Sequence, residues 1–340
     1  MIHLGVLSTA KINVEAFLKP VARRSDCQVV AIASRDFLRA ARYADDHQIP
    51  KAYGAYQDLL DDPNIQAIYI STPNSLHAPW VKAALKAGKH VLCEKPFVTT
   101  YQDLQFVKRL ALARNLLLME AMHYRYHPAL IDFYKIISQK ILGRLSYIRA
   151  SLRYYRPPLG DIRLNPSLKG GCLMHLGCYC LDAITTVLGQ SLDFQDIKIT
   201  KHNNSIDLAC HAKLATADKA TQVEMICDFN DDIFDSEVEI RGEKGELLLK
   251  SAFNPVTFVE SPSHDIFQLQ SNLQNLPMLS TGTGWNTYDY QLNHFISLLK
   301  KKSYQPHVNE QATFLLEKGE LLVRSLLTEN QPRERLAMVI

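Results

Sequence analysis

Residues 67–96 read AIYISTPNSLHAPWVKAALKAGKHVLCEKP. An apolar run from Ala67 to Ser71 is followed by apolar residues at helical spacing from Leu76 to Ala87. Gly88 stands where a helix C-cap is expected, and a second apolar run goes from His90 to Glu94. Strand, helix and strand within about 30 residues make a βαβ unit with parallel strands. The same alternation extends in both directions, with apolar runs at Ile2 to Leu7, Val29 to Ser34 and Leu116 to Glu120, and a helical pattern over Phe37 to Gln48. Together these predict a Rossmann-type α/β domain over residues 1–121, built on a doubly wound parallel sheet.

Beyond about residue 140 the pattern becomes strand-like alternation, at Ser146 to Tyr155, Val223 to Phe229, Glu237 to Arg241 and Glu246 to Leu249, with Gly242 and Gly245 marking a hairpin-like turn. A helix from Leu173 to Leu188, ended by Gly189, interrupts this region, and helices at Tyr288 to Lys300 and Gln311 to Leu327 close the chain. The expectation is an α+β second domain over 122–340 with a mostly antiparallel open sheet, its last helices free to pack back on the first domain. No internal repeat, low-complexity tract or long linker is present.

With 340 residues, 47% hydrophobic and 21% charged, the chain can fill two ordinary cores. A net charge of +3 from 38 basic and 35 acidic residues spread along the sequence lacks the clustered footprint of a nucleic-acid binder. No run approaches the roughly 18 consecutive apolar residues that span a bilayer. The start, Met1 to Leu7, carries neither a basic segment nor a cleavage site. The reading is a cytoplasmic protein without membrane or nucleic-acid partners. The seven cysteines are odd in number and lack a CxxC, so Cys172, Cys178 and Cys180 read as reduced buried thiols and no metal is expected.

In a Rossmann fold the turn after the first strand brings backbone N–H groups and a helix N-terminus to a dinucleotide pyrophosphate. Here Ser8, Ala10 and Asn13 stand at the three fingerprint positions, with Thr9, Lys11 and Ile12 among them. No glycine survives there. Ser8 and Ala10 are small enough to keep the backbone near a phosphate, although an ordinary strand–helix turn fits the same residues. The second strand ends in Ala33-Ser34-Arg35-Asp36, where an acid would grip a ribose hydroxyl or an arginine a 2′-phosphate. Ser34 and Arg35 favour NADP over NAD, because a guanidinium pairs bidentately with phosphate and a carboxylate repels it. A solvated Arg35 at a helix start and Asp36 as that helix's N-cap are the competing readings.

The motifs Ser71-Thr72-Pro73-Asn74-Ser75-Leu76-His77 and Cys93-Glu94-Lys95-Pro96 resemble those of the Gfo/Idh/MocA oxidoreductases. So do Glu120 to Pro128, Gly170 to Tyr179 and Ile240 to Gly245, in order along nearly the whole chain. The resemblance is to the branch of dimeric dihydrodiol dehydrogenases, glucose-fructose oxidoreductase, xylose dehydrogenases and sugar ketoreductases. It implies a second-domain sheet whose outer face supports homodimers or homotetramers and whose inner face covers the nicotinamide. It also implies a cis peptide before Pro96, a cofactor site that includes Ser71, Thr72, Pro73, Glu94, Lys95 and Pro96, and Asn74 and His77 near the nicotinamide ribose.

Lys95 follows an apolar strand, at the carboxyl end of the parallel sheet where ligands of such sheets bind. Oxidised nicotinamide and burial both disfavour an ammonium, so Lys95 either transfers protons itself or stays charged and depresses the pKa of a nearby tyrosine. Many family members place Asp and His one turn apart after the glycine-rich segment. This sequence has His175 and Tyr179 there, four apart and on one helix face. Tyr179 fits the branch in which tyrosine is the general acid or base. His175 either meets the substrate or is a core histidine. The segment holding Tyr124, Arg125 and His127 falls where the family's domains meet, and Arg125 orients a polar substrate or pairs with Glu120 or Glu94. The expected activity is NAD(P)-dependent hydride transfer to or from a sugar, polyol or dihydrodiol. A non-catalytic dinucleotide sensor of the same fold is the alternative. Redox-assisted glycoside cleavage with tightly held NAD is a third reading, against which Arg35 counts.

Overall fold

The computed structural model describes residues 1–232, 234–253, 268–274, 276–277, 279–280 and 284–328. The chain divides into two compact units. The first contains residues 1–127 with 284–310. Its strands are β1 (Ile2–Leu7), β2 (Cys27–Ala33), β3 (Lys51–Tyr53), β4 (Ala67–Ile70), β5 (His90–Cys93) and β6 (Leu118–Glu120). They form a parallel sheet in the order β3-β2-β1-β4-β5-β6. The chain turns outward in opposite directions from β1 and β4, so their carboxyl ends flank the crevice where open α/β sheets take ligands.

Alternation along the strands explains why both faces are covered. Leu4, Val6, Ile32, Tyr69 and Leu92 enter one core cluster, whereas Leu7, Ala31, Ile68, Ile70 and Val91 enter the other. In the first cluster the Phe17 and Tyr69 rings stack at 4.3 Å. The connecting helices are α1 (Lys19–Ala22), α2 (Phe37–Asp46), α3 (Tyr56–Asp61), α4 (Asn74–Lys86) and α5 (Tyr101–Arg114). Asp36 and Thr100 cap α2 and α5 by accepting the amides of Arg39 and Asp103, both at 3.1 Å. A distant piece of sequence completes this unit: the helix Thr287–Lys301 places Leu292, Phe295, Ile296 and Leu299 in the core with Leu4, Val6 and Tyr69. Its start is a reciprocal capping box, with Asn286 Oδ1 accepting the Asp289 amide and Asp289 Oδ2 accepting the Asn286 amide, each at 2.9 Å.

The second unit contains residues 128–253, 268–280 and 311–328 as far as they are described. Its elements are α6 (Pro128–Ser138), β7 (Leu145–Tyr155), α7 (Cys178–Leu188), β8 (Leu192–His202), β9 (Ile206–Thr216), β10 (Gln222–Asp231), β11 (Asp235–Gly242), β12 (Gly245–Lys250) and β13 (Gln268–Ser271). The sheet runs β13-β12-β11-β7-β10-β9-β8, antiparallel except where β7 and β10 pair side by side in the same direction. Helix α7 is preceded by one wide π-turn, Leu173–Gly177, and ends at Gly189 in the left-handed region. The stretch Pro166–Leu188 is long and apolar enough to cross a membrane, but 78% of its apolar window is buried inside the protein, as in a core helix. All seven cysteines are buried free thiols, and no metal-holding cluster occurs among the described residues.

Candidate active site

The turn after β1 is held by side chains. Ser8 lies at φ +96°, a conformation that glycine adopts at lower cost. Its hydroxyl donates to the Ser71 carbonyl at 2.9 Å and receives the Ala10 amide at 3.3 Å. Asn13, fully buried, closes the turn from below. Its Nδ2 donates to the Ser8 carbonyl at 2.7 Å, and its Oδ1 accepts the Ser71 hydroxyl at 2.6 Å. At two of the three fingerprint positions, Ser8 and Asn13 therefore make hydrogen bonds that glycines cannot, and they tie the end of β1 to the end of β4. Lys11 and Ile12 stand exposed where the helical run begins. A helix start behind a tight turn of small residues fits a pyrophosphate.

At the end of β2, Asp36 is the N-cap of α2, which leaves Arg35 as the group facing solvent there. Arg35 and Arg39 both lie close enough to Tyr56 for their charge to oppose the burial that raises its phenol. The sequence pointed to Arg35; Arg39, one helical turn on, joins it.

Beyond β5 the Lys95–Pro96 peptide is cis, as the family resemblance implied. Glu94 is half-buried and accepts the Tyr69 hydroxyl at 2.6 Å. Burial raises its carboxyl, and the charge of Lys95 works the other way. The His77 ring spans the site, with Nδ1 at 2.8 Å from the Pro96 carbonyl and Nε2 at 2.6 Å from that of Thr72. A neutral imidazole donates through one nitrogen only, and burial together with Lys95 keeps this ring below the usual histidine range. His77 thus braces the Thr72-Pro73 turn against Pro96.

His123 is a further neighbour of Lys95. It is buried, contacts the Thr287 hydroxyl at 2.8 Å, and is pushed down to about 3 by burial and by Lys95. Its position inside the quoted Glu120 to Pro128 motif was legible in the sequence, but its burial was not. Glu120 accepts the Phe97 amide at 3.1 Å, Tyr124 is fully buried, and Arg125 is half-buried with its charge acting on His307. His127 packs edge-on to Tyr290, and burial lowers it to about 4.

In the second unit His175 lies on the π-turn and Tyr179 in the first turn of α7. Tyr179 is buried and His175 half-buried. Phe253 stands 5.8 Å from the Tyr179 ring and Phe229 6.0 Å from that of His175. The preceding loop, whose shape the sequence did not disclose, is ordered by Arg163. That residue pairs with Asp161 at 2.8 Å, lies over Tyr154 and Phe229, and gives its carbonyl to the Gly171 amide at 2.9 Å.

A parallel sheet in this order, with a helix starting behind a tight first turn and an arginine at the end of β2, defines a dinucleotide-binding half. Lys95 stands just beyond the end of the neighbouring strand, β5. Residues 2–122 match the oxidoreductase family with an NAD-binding Rossmann fold, and residues 132–248 match the GFO/IDH/MocA C-terminal domain. The chain belongs to the GFO/IDH/MocA oxidoreductase family. It is 31% identical to the trans-1,2-dihydrobenzene-1,2-diol dehydrogenase of Sus scrofa, over 88% of this chain and 87% of that enzyme. It is 39% identical to D-xylose 1-dehydrogenase (NADP(+)) 2 of Haloferax volcanii, a match spanning little more than half of each, 54% and 57%. Among solved structures it is similar to a 3-ketoreductase from Actinomadura kijaniata in complex with NADP and TDP-benzene. The TM-score is 0.78 at 25% identity, over 94% and 95% of the two chains.

Proposed function

We propose that this chain is an NADP-preferring dehydrogenase or ketoreductase that moves hydride between the nicotinamide and a CH–OH or C=O carbon of a sugar, polyol or dihydrodiol. The observation that carries the reading is the setting of Lys95: beyond the end of β5, beside half-buried Glu94, with the rings of His77 and His123 held neutral by burial and by its charge. The NADP-dependent xylose dehydrogenase and the dihydrodiol dehydrogenase among its relatives support the substrate class and the cofactor. Arg35 and Arg39 at the end of β2 supply charge for a 2′-phosphate.

When bound, the nicotinamide supplies or accepts the hydride. The turn at Ser8 to Ile12 would hold the pyrophosphate, and the segments Ser71 to Asn74 and Glu94 to Pro96 would hold the nicotinamide end. Tyr179 gives a proton to the substrate oxygen during reduction, or takes one during oxidation. The Lys95 ammonium stabilises the phenolate form that this exchange requires. His175 and Arg125 orient the substrate's hydroxyls, with Tyr124 and His127 shaping the wall behind Arg125.

The test is Lys95→Met, assayed with sugars, polyols and dihydrodiols by nicotinamide absorbance. Turnover is expected to fall by about 10²–10⁴-fold, with NADPH affinity by fluorescence titration unchanged. A Lys95→Met enzyme that works normally on a substrate of the wild type overturns the mechanism.

A further inference from the structure

We propose that Asp207 is the positioning residue of the segment that carries His175 and Tyr179, its carboxylate in β9 holding the first turn of that segment by the Leu173 amide. The inference rests on the function proposed above and adds to it a residue outside the motifs read from the sequence.

Two independent features of the geometry meet at this side chain. Asp207 is 2% exposed, and its Oδ2 accepts the Leu173 N–H at 2.6 Å. Its other oxygen lies against the bare α-carbon of Gly171. That glycine has φ +115°, and a Cβ built there would fall 2.2 Å from Oδ1. The neighbouring Gly170 is equally confined, since its Cβ would lie 2.5 Å from the Arg163 carbonyl. The two glycines are thus the condition for the backbone to come down onto a buried carboxylate on one side and the ordered loop on the other.

Burying a carboxylate is expensive when its partners are amides rather than a cation. The cations nearest in this region are engaged elsewhere, Lys169 and Arg324 both pairing with Glu320. An uncharged serine or asparagine can cap a helix start at lower cost. What the charge adds is a short, strong bond at a fixed point, immediately before the π-turn Leu173–Gly177. A widened turn has freedom in where it begins, and His175 and Tyr179 follow Leu173 in the same continuous helical run, on its π-turn and in the first turn of α7. Fixing the Leu173 amide therefore fixes the register of His175 and Tyr179.

The groups that act on Asp207 are Cys172 at the segment's start, Cys210 on its own strand and Glu320, which pairs with Lys169 and Arg324; Cys227 and Asp228 on β10 reach it only through Cys172 and Cys210. Burial, with Glu320 adding to it, pushes the Asp207 carboxyl up to about 7. The hold on Leu173 accordingly weakens as pH falls through neutrality, because a protonated carboxyl accepts a weaker bond.

Asp207→Asn keeps the shape and removes the charge. In steady-state assays its kcat is expected to fall about tenfold or more, with KM for NADPH unchanged. The wild-type limb of the kcat profile near neutral pH is expected to be absent in the variant. In the protein without substrate, amide hydrogen exchange over 171–179 is expected to quicken while that of residues 1–127 stays the same. Gly171→Ala, which presses a Cβ against the same oxygen, should give the same signature. Wild-type kcat with unaltered exchange over 171–179 overturns the proposal, and so does a loss of NADPH affinity that parallels the loss of kcat. If the wild type turns over no polyhydroxy substrate, the proposed function fails alone, and the exchange measurement still decides the role of Asp207.

Discussion

Ser8, Asn13 and Ser71 show how a residue can replace a glycine by doing the glycine's work differently. The serine accepts a positive φ, and the buried amide of Asn13 holds it there through bonds of 2.6 and 2.7 Å. The sequence showed which residues stood at the fingerprint positions, since spacing from β1 determines that. It did not show that they bond to one another, because Ser71 is brought to them only by the pairing of β1 with β4. After the end of β2, Asp36 was readable as either ribose ligand or cap, and its bond to the Arg39 amide makes it the cap. That leaves Arg35 as the residue proposed to read the 2′-phosphate. Arg35→Ala should raise the Kd for NADPH by roughly tenfold to a hundredfold, the range of a lost charged hydrogen bond, and leave NADH binding unchanged in fluorescence titrations. An equal loss for both cofactors would remove the phosphate from its role.

Elements were legible in proportion to how one-sided their surroundings are. β1, β2, β4, β5 and β6 lie in a sheet covered on both faces, so they print as plain apolar runs, and the family model over 2–122 coincides with them. β3 escaped notice because it is three residues long and sits at the edge, where Lys51 and Tyr53 both bond to Asp62 at 2.8 Å. β8 was hidden by register shifts between Phe194 and Asp196 and between Thr200 and Lys201, which break the period of two that alternation relies on. The helix read as Leu173 to Leu188 is in fact a π-turn followed by α7, a distinction that hydrophobic spacing cannot express. Caps, by contrast, are local chemistry. Asn286→Ala removes half of the capping box, whose Asp289 also pairs with Arg23 at 2.5 Å. It is expected to cost about 1 kcal/mol and to lower Tm by roughly 2–4 °C, read by calorimetry. An unchanged Tm would mean that the helix is held by its buried face alone.

For the whole molecule the balance of buried ionisable groups predicts lability to acid. His90, His123 and His127 are pushed down by burial to about 4, about 3 and about 4. Unfolded, each takes up a proton near pH 6.5. The folded state therefore binds fewer protons, so their contribution is complete above that pH and is lost as pH falls toward the folded values. Asp207, raised to about 7, and Glu94, also raised by burial, act in the opposite sense, while His77 adds to the histidines, so the bases outweigh the acids. The urea midpoint should accordingly drop between about pH 7 and about pH 5; a flat midpoint over that range would contradict it. The helix Thr287–Lys301 has a consequence in time as well as in space. Its Leu292, Phe295 and Ile296 fill the same core as Leu4 and Val6 at the opposite end of the sequence. During synthesis the interior of the first unit therefore stays open long after its last strand, β6, has emerged, and closes only when residues 287–301 follow.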